Sequence, residues 1–323
     1  MGRVDNIKAP IIEELEAFED RFRKSMKSKV PLLDKITHFI IKRKGKQMRP
    51  MFVFLSAKAV GNISDGTFRA ASLIELLHTA TLVHDDVIDD AMERRSFFSI
   101  NALWKNKIAV LVGDYLLSKL LVLAIDHNEF ELLRIVSTSV KKMSEGELLQ
   151  LEKSRGINLN EEVYLNIIEQ KTASLISTCC HAGATSATDN EEHKEALKNF
   201  GTQVGMAFQI KDDLFDYGTD AVGKPLGIDI KEKKVTLPLL YALNNCSWLE
   251  RKQIIFQLKN HRNKRERIQK IIDFVIEKGG IEYAKTKMLA YRDAALECIK
   301  VIPESEAKSS LIDLVQYTIE RTK

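Results

Sequence analysis

Apolar residues return every three or four positions through most of this chain, and that spacing constrains the fold more than any other feature. Ile12, Leu15, Phe18 and Phe22 follow it, as do Leu73, Leu76, Leu77 and Leu82. Ile254, Leu258, Ile268, Ile271, Ile272, Phe274 and Val275 carry it through the C-terminal third. A period near 3.6 lays such residues along one face of an α-helix. Strand-like alternation is scarce, and the Asn-Gly dipeptide that marks tight hairpins is absent. Breaks fall at Gly61-Asn62, Ser154-Arg155-Gly156, Thr188-Asp189-Asn190, residues 218–227 and Gly279-Gly280. The pattern predicts an all-α, single-domain protein of about a dozen helices spanning residues 1–323.

Composition narrows the class. With 323 residues, 45% hydrophobic and 29% charged, the chain is globular rather than disordered or fibrous. It is long enough to enclose a core and still leave a deep pocket. A net charge of +4 is too small to argue for nucleic acid. Cys179, Cys180, Cys246 and Cys298 show no Cys-x-x-Cys spacing, which fits a reducing compartment. Residues 1–10 lack the apolar run of a signal peptide, and Asn6 stands where a myristoylation pattern wants Ser or Thr. Ile108 to Ile125 is the most apolar stretch, but Asp114 and Lys119 interrupt it, so it reads as a core helix. A soluble cytoplasmic protein without a membrane anchor is expected. Arg251 to Lys270 is rich in Lys and Arg. With no run of interleaved aromatics, it reads as a solvated helix face near a loop rather than an anionic-partner surface.

Two acidic clusters stand out, each ending an apolar helical run. His84-Asp85-Asp86-Val87-Ile88-Asp89-Asp90 is the first and Lys211-Asp212-Asp213-Leu214-Phe215-Asp216 the second. Both contain Asp-Asp-x-x-Asp. With 19 Asp in 323 residues, one such pattern arises by chance in about 0.07 of chains. Positions i and i+4 differ by about 40° on a helix, so Asp85 and Asp89 are expected to share a face, as are Asp212 and Asp216. Paired carboxylates repel unless solvated or neutralised by a divalent cation. Hard oxygen donors suit Mg²⁺, which keeps waters and shares itself with substrate phosphates.

Basic residues supply the complement. Lys46 and Arg49 are three apart, Arg94-Arg95 follow the first cluster, Lys171-Thr172 open an apolar segment, and Lys224, Lys233 and Lys234 follow the second cluster. Singly each reads as solvated surface; jointly they offer a diphosphate the several cations it needs. His78 lies seven residues before Asp85, nearly two full turns, so the two share a face. It is either a satisfied core residue or part of that polar stripe. No His-Glu-x-x-His, P-loop or Gly-x-Ser-x-Gly pattern is present.

These residues resemble the trans-isoprenyl (polyprenyl) diphosphate synthases. The likeness rests on Gly45-Lys46-Gln47-Met48-Arg49-Pro50, Leu82 to Asp89, Arg94-Arg95, Phe208 to Tyr217 and Thr236-Leu237-Pro238. Glu75 to Arg95, with Asn101 to Trp104 and Val112-Gly113-Asp114, is most similar to the long-chain branch, such as octaprenyl diphosphate synthase. The resemblance implies an isoprenoid-synthase bundle around a central cavity, a homodimer, and Mg²⁺ as cofactor, three ions with the bound diphosphate. It implies a catalytic set of Asp85, Asp86, Asp89, Asp212, Asp213, Asp216 and Lys171, in which Asp85, Asp89 and Asp212 hold metal from opposing walls. Arg94, Lys171, Thr172, Gln209, Lys224 and Lys234 would contact the allylic diphosphate; Lys46, Arg49, His78 and Arg95 would bind isopentenyl diphosphate.

Neutralising the diphosphate lowers the ionisation barrier, and the allylic cation is then attacked by the double bond of isopentenyl diphosphate held close by. Proton loss to the departing diphosphate gives an all-trans product one isoprene unit longer. In the family, bulky aromatics at the fourth and fifth residues before the first motif stop growth early. Here those positions are Thr81 and Ala80, so a product longer than C20 is expected, with Leu117, Leu120 and Leu121 as candidates for a deeper floor. Ser96, Lys233 and Lys211 depart from the usual pattern without removing a ligand. A class I terpene cyclase, a non-catalytic synthase subunit and a short-chain farnesyl or geranylgeranyl synthase are the competing readings. The first lacks a use for Lys46 and Arg49, the second loses its Asp motifs, and the third is opposed by Ala80 and Thr81.

Overall fold

In the computed structural model, residues 3–42, 47–94, 97–156, 160–218, 227–232, 234–260 and 265–321 are described. They are α-helical almost throughout, as the apolar spacing predicts; the one sheet among them is a two-residue antiparallel ribbon pairing Glu93 with Phe98 and Arg94 with Phe97. The chain folds into two compact units, each assembled from three stretches. One comprises residues 1–140, 178–198 and 301–311; the other comprises residues 141–177, 199–300 and 312–323.

The first unit is built on the helix Met48–Val60. From Pro50 to Ala57 every residue is buried, with Val53, Phe54, Leu55 and Ala57 wholly enclosed, as a central helix must be. Each fully buried Phe or Leu of this kind contributes roughly 1.5–3 kcal/mol. Beside it runs Asp65–Ile88. Its start is fixed by a capping box: the Thr67 hydroxyl accepts the Ser64 N–H (3.1 Å), and Ser64 caps in return. This helix buries Ala70, Leu73, Ile74, Leu77 and Ala80 and ends at the first acidic cluster. Helix Ile100–Asp126 packs along it, starting where the Ser99 hydroxyl accepts the Ala102 N–H (3.3 Å). Among the described residues it is the one helix long and apolar enough to cross a membrane by length and composition. The core-helix expectation holds for one side only. Ala109, Val112, Leu116, Leu120 and Ala124 are buried, whereas Leu111, Val122 and Ile125 on the other side are exposed.

In the second unit the centre is Leu237–Asn244, whose first turn holds Pro238, where a missing N–H costs nothing. Leu237, Leu239, Leu240 and Leu243 pack there with Ile271, Val275, Ile281 and Ala284. Around this core lie the elements that carry the site: Glu161–Ile168, the C-terminal half of Glu191–Phe215, and a π-helical turn, Glu169–Ala173.

Candidate active site

In the first unit, Asp85 closes the last turn of Asp65–Ile88. The Asp89 N–H donates to the Asp85 carbonyl (2.9 Å), so Asp89 stacks one turn beyond it although the helix itself ends at Ile88. Asp86 turns inward and is buried; its carbonyl accepts from the Asn101 amide (3.1 Å), which ties the cluster to the next helix. Asp90 then takes a left-handed conformation (φ 48°) and breaks the helix. Glu75, His78 and Asp85 recur at three- and seven-residue intervals and are all half-exposed, forming one stripe. Arg49 reaches the stripe through an ion pair with Glu75 (3.4 Å). Two of the four residues expected to bind isopentenyl diphosphate, Arg49 and His78, are thus brought to one helix face. Lys46 and Arg95 lie outside the described residues, as do Lys224, Ser96, Lys233 and the side chain of Arg94.

His84 shows a role the spacing alone does not reveal. Its Nε2 lies 3.3 Å from the Val110 carbonyl and 3.5 Å from Asp114. The ring rests on Gly113, where an added Cβ would come within 2.1 Å of Nε2. Only a glycine permits that approach. Ala80 is completely buried, and the Thr81 hydroxyl turns back to the His78 carbonyl (2.9 Å). Leu120 is buried and Leu117 half-buried, but Leu121 faces outward, because one residue is a 100° step around a helix. Leu121 is therefore removed from the floor candidates.

In the second unit, residues spread over more than eighty positions line one cavity of about 190 Å³: Gln150, Lys171, Thr172, Gln209, Asp213 and Lys234, with Ile167, Ile168 and Val235 as its apolar wall. A chain of hydrogen bonds orders it. The Thr172 hydroxyl donates to Gln209 Oε1 (2.8 Å), Gln209 Nε2 donates to Asp213 Oδ1 (2.9 Å), and the Tyr164 hydroxyl donates to Asp213 Oδ2 (2.6 Å). Lys171 is held by Gln150 (3.1 Å) and by Glu147, and Lys234 by Glu232 (2.6 Å). The π turn presents Lys171 and Thr172 together; such single-turn insertions recur at functional sites. It is pressed against Gly205, where a Cβ would lie 2.4 Å from the Ala173 Cα.

The three aspartates of this cluster part company. Asp212 is half-exposed and paired with Arg321, whose guanidinium also lies over the Phe208 ring (4.1 Å). Asp213 is buried; that burial, with the charge of Asp229 nearby, pushes its pKa up to about 8, against the pull of the Tyr164 and Gln209 hydrogen bonds. Asp216 lies one residue past the helix end at Phe215, and its Oδ1 accepts the Ile228 N–H (2.6 Å) at the start of the short helix Ile228–Lys231. Burial raises its pKa as well, and its Oδ2 is buried with no hydrogen-bond partner. Asp229 is lifted to about 6, first by burial and then by Asp216. Lys211, the unusual residue before the motif, lays its ammonium over the Phe215 ring (5.0 Å). Tyr164, Asn101, Gly113 and Arg321 were not legible from motif spacing, since each works through a partner distant in sequence.

Half-exposed Asp85 and Asp212 and exposed Asp89 present hard carboxylate oxygens, the donors a divalent cation takes, and Asp216 keeps a buried oxygen with no hydrogen-bond partner. Among the described residues no cluster of three or more His, Cys, Asp or Glu is placed to hold a metal by itself. One or two carboxylates per ion, completed by water and phosphate, is the donor set Mg²⁺ favours.

Comparison with known proteins agrees with this chemistry. Residues 30–275 match the family described as polyprenyl synthetase. The all-trans-nonaprenyl-diphosphate synthase (geranyl-diphosphate specific) of Rhodobacter capsulatus is 34% identical over 319 residues, covering 98% of this chain and 97% of that protein. The crystal structure of a polyprenyl synthase from Caulobacter crescentus CB15, complexed with calcium and isoprenyl diphosphate, matches with a TM-score of 0.91 at 30% identity, covering 99% of this chain and 98% of that one. The geranylgeranyl pyrophosphate synthase of Bacteroides thetaiotaomicron matches at 0.85 with 39% identity, covering 99% of this chain and 100% of that one. With its all-α fold, its paired acidic clusters and a family match over three-quarters of its length, this chain belongs to the polyprenyl synthetase family.

Proposed function

We propose that this enzyme condenses isopentenyl diphosphate onto an allylic diphosphate and releases an all-trans polyprenyl diphosphate longer than C20. The observation that carries the reading is the convergence of Lys171, Thr172, Gln209 and Lys234 on one cavity. These are four of the six residues the resemblance assigns to the allylic diphosphate. Lys171 and Lys234, now held by carboxylates, exchange them for the phosphate oxygens of substrate, joined by Arg94 and Lys224. Thr172 fixes the orientation of the Gln209 amide beside the same group. Arg49 and His78, with Lys46 and Arg95, receive isopentenyl diphosphate.

Asp85, Asp89 and Asp212 are the residues that would hold Mg²⁺, and Arg321 must release Asp212 for it. When bound, the metal supplies neutralisation of the leaving diphosphate. Breaking the allylic C–O bond leaves its electron pair on diphosphate; the isopentenyl double bond forms the new C–C bond, and a proton departs to the diphosphate. Ile167, Ile168 and Val235 keep water from the cation. Ala80 and Thr81 leave the growing chain unobstructed beside the first cluster. We read residues 1–323 as one catalytic domain, cytoplasmic, working as a homodimer. Leu111 (64% exposed) and Val122 (56%) on Ile100–Asp126 supply an apolar face suited to a second copy.

A C20 product is the second reading, favoured by the 39% identity to a geranylgeranyl enzyme. Incubation with farnesyl diphosphate, labelled isopentenyl diphosphate and Mg²⁺, followed by product sizing, decides between them. Products longer than C20 are expected; termination at C20 transfers the case to the second reading, and absence of condensation onto this C15 starter overturns both.

A further inference from the structure

Helix Trp248–Asn260 has two unlike sides. Inward, Ile254 and Leu258 are buried in the core of the second unit. Outward, Trp248 and Leu249 are each 65% exposed and Phe256 is 57% exposed. At about 100° per residue, these three and the exposed Lys252 and Lys259 fall within about 100° of arc. The Lys252 ammonium lies over the Trp248 ring (3.8 Å). Glu250, the helix's acidic residue, is turned aside: it accepts the Ser247 N–H (2.8 Å) and pairs with Lys278 (2.7 Å). Trp248 lies three residues before the basic segment Arg251 to Lys270 and Phe256 inside it; the helix brings both rings onto the face of Lys252 and Lys259.

We propose that this outward face docks the enzyme on an anionic lipid bilayer. Indole and phenyl rings beside lysines match the headgroup boundary, where rings sit below and ammonium groups reach anionic phosphates. Lysines gathered on one side, with no carboxylate among them, complement a negative bilayer and oppose a like-charged second copy. The inference rests on the proposed function in one respect: a product longer than C20 is too apolar for water and needs a bilayer to receive it.

The test is co-sedimentation of the full chain with vesicles of phosphatidylcholine alone and mixed with phosphatidylglycerol, without substrate. Binding to the anionic vesicles that weakens with salt is expected. Lys252→Gln and Lys259→Gln should each weaken it about fivefold, and Trp248→Ser with Phe256→Ser at least about tenfold. Condensation in detergent and helical circular dichroism should stay unchanged in all these variants. Failure to bind anionic vesicles, or undiminished binding by the variants, overturns the proposal. So does a loss of self-association in the variants without vesicle binding, or capture of RNA in place of vesicles. Because binding is read without substrate, a chain that condenses but does not bind sinks only this inference. One that binds but does not condense sinks only the proposed function.

Discussion

Asp213 meets its neighbours through both oxygens, and each contact reaches a different stretch of chain. Tyr164 supplies one hydrogen bond and Gln209 the other, and Gln209 is itself aligned by Thr172. Tyr164→Phe removes the donor at a buried acceptor, a change worth about 1–3 kcal/mol. Urea unfolding should show that loss, and steady-state kinetics should show a raised KM for the allylic substrate with KM for isopentenyl diphosphate unchanged. A variant with wild-type stability would show that Asp213 finds its order elsewhere. This network could not be read from the sequence. Asp213 is visible in the motif, but Tyr164 lies 49 positions away on another helix, and spacing arguments reach only a few turns. The spacing is equally silent on what Asp216 holds, because its partner, the Ile228 N–H, lies 12 positions on in the next helix.

At the level of the helix, Asp65–Ile88 carries both the first acidic cluster and the two small residues before it. Ala80 is wholly enclosed, so the side chain there sets how much room remains beside the cluster. Ala80→Phe adds a ring where none fits freely and should shorten the product by several isoprene units, as read by chromatography of the dephosphorylated alcohols; an unchanged length would remove Ala80 from the wall. The helical character of this segment was plain in Leu73, Leu76, Leu77 and Leu82, and the end of the helix in the acidic run. Its neighbour was legible only in part. Ile108 to Ile125 is uniformly apolar, so periodicity could not tell an inward side from an outward one. The close seat of His84 on Gly113 depends on an approach between helices that no single segment encodes.

For the molecule as a whole, acidity is a stability variable. Burial lowers the His181 pKa below its ordinary 6.5, and the nearby Lys198 charge acts in the same direction. The folded chain therefore resists a proton that the unfolded chain accepts near pH 6.5. Below that pH the unfolded state binds more protons, so stability falls as pH falls, until the folded-state pKa is reached. Asp213 and Asp229, raised to about 8 and about 6, act in the opposite sense over the same range, so the His181 contribution is read against a variant: the wild-type urea midpoint should fall relative to that of His181→Asn as pH is lowered through about 6.5. A difference that stays constant with pH would place the titration elsewhere.

The π turn at Glu169–Ala173 holds five residues where an α-helix closes its ring with four. Counting, rather than chemistry, is what aims Lys171 and Thr172 into the cavity. Losing one residue there would restore a regular helix: four α-helical residues turn the chain about as far as five in the wider π turn, so the flanking helices keep their places while the directions of the residues within the turn change. With Gln170 as the residue lost, Lys171 and Thr172 both survive, yet the ammonium and hydroxyl would no longer face the same space. A deletion that alters neither group would then do as much harm as erasing one.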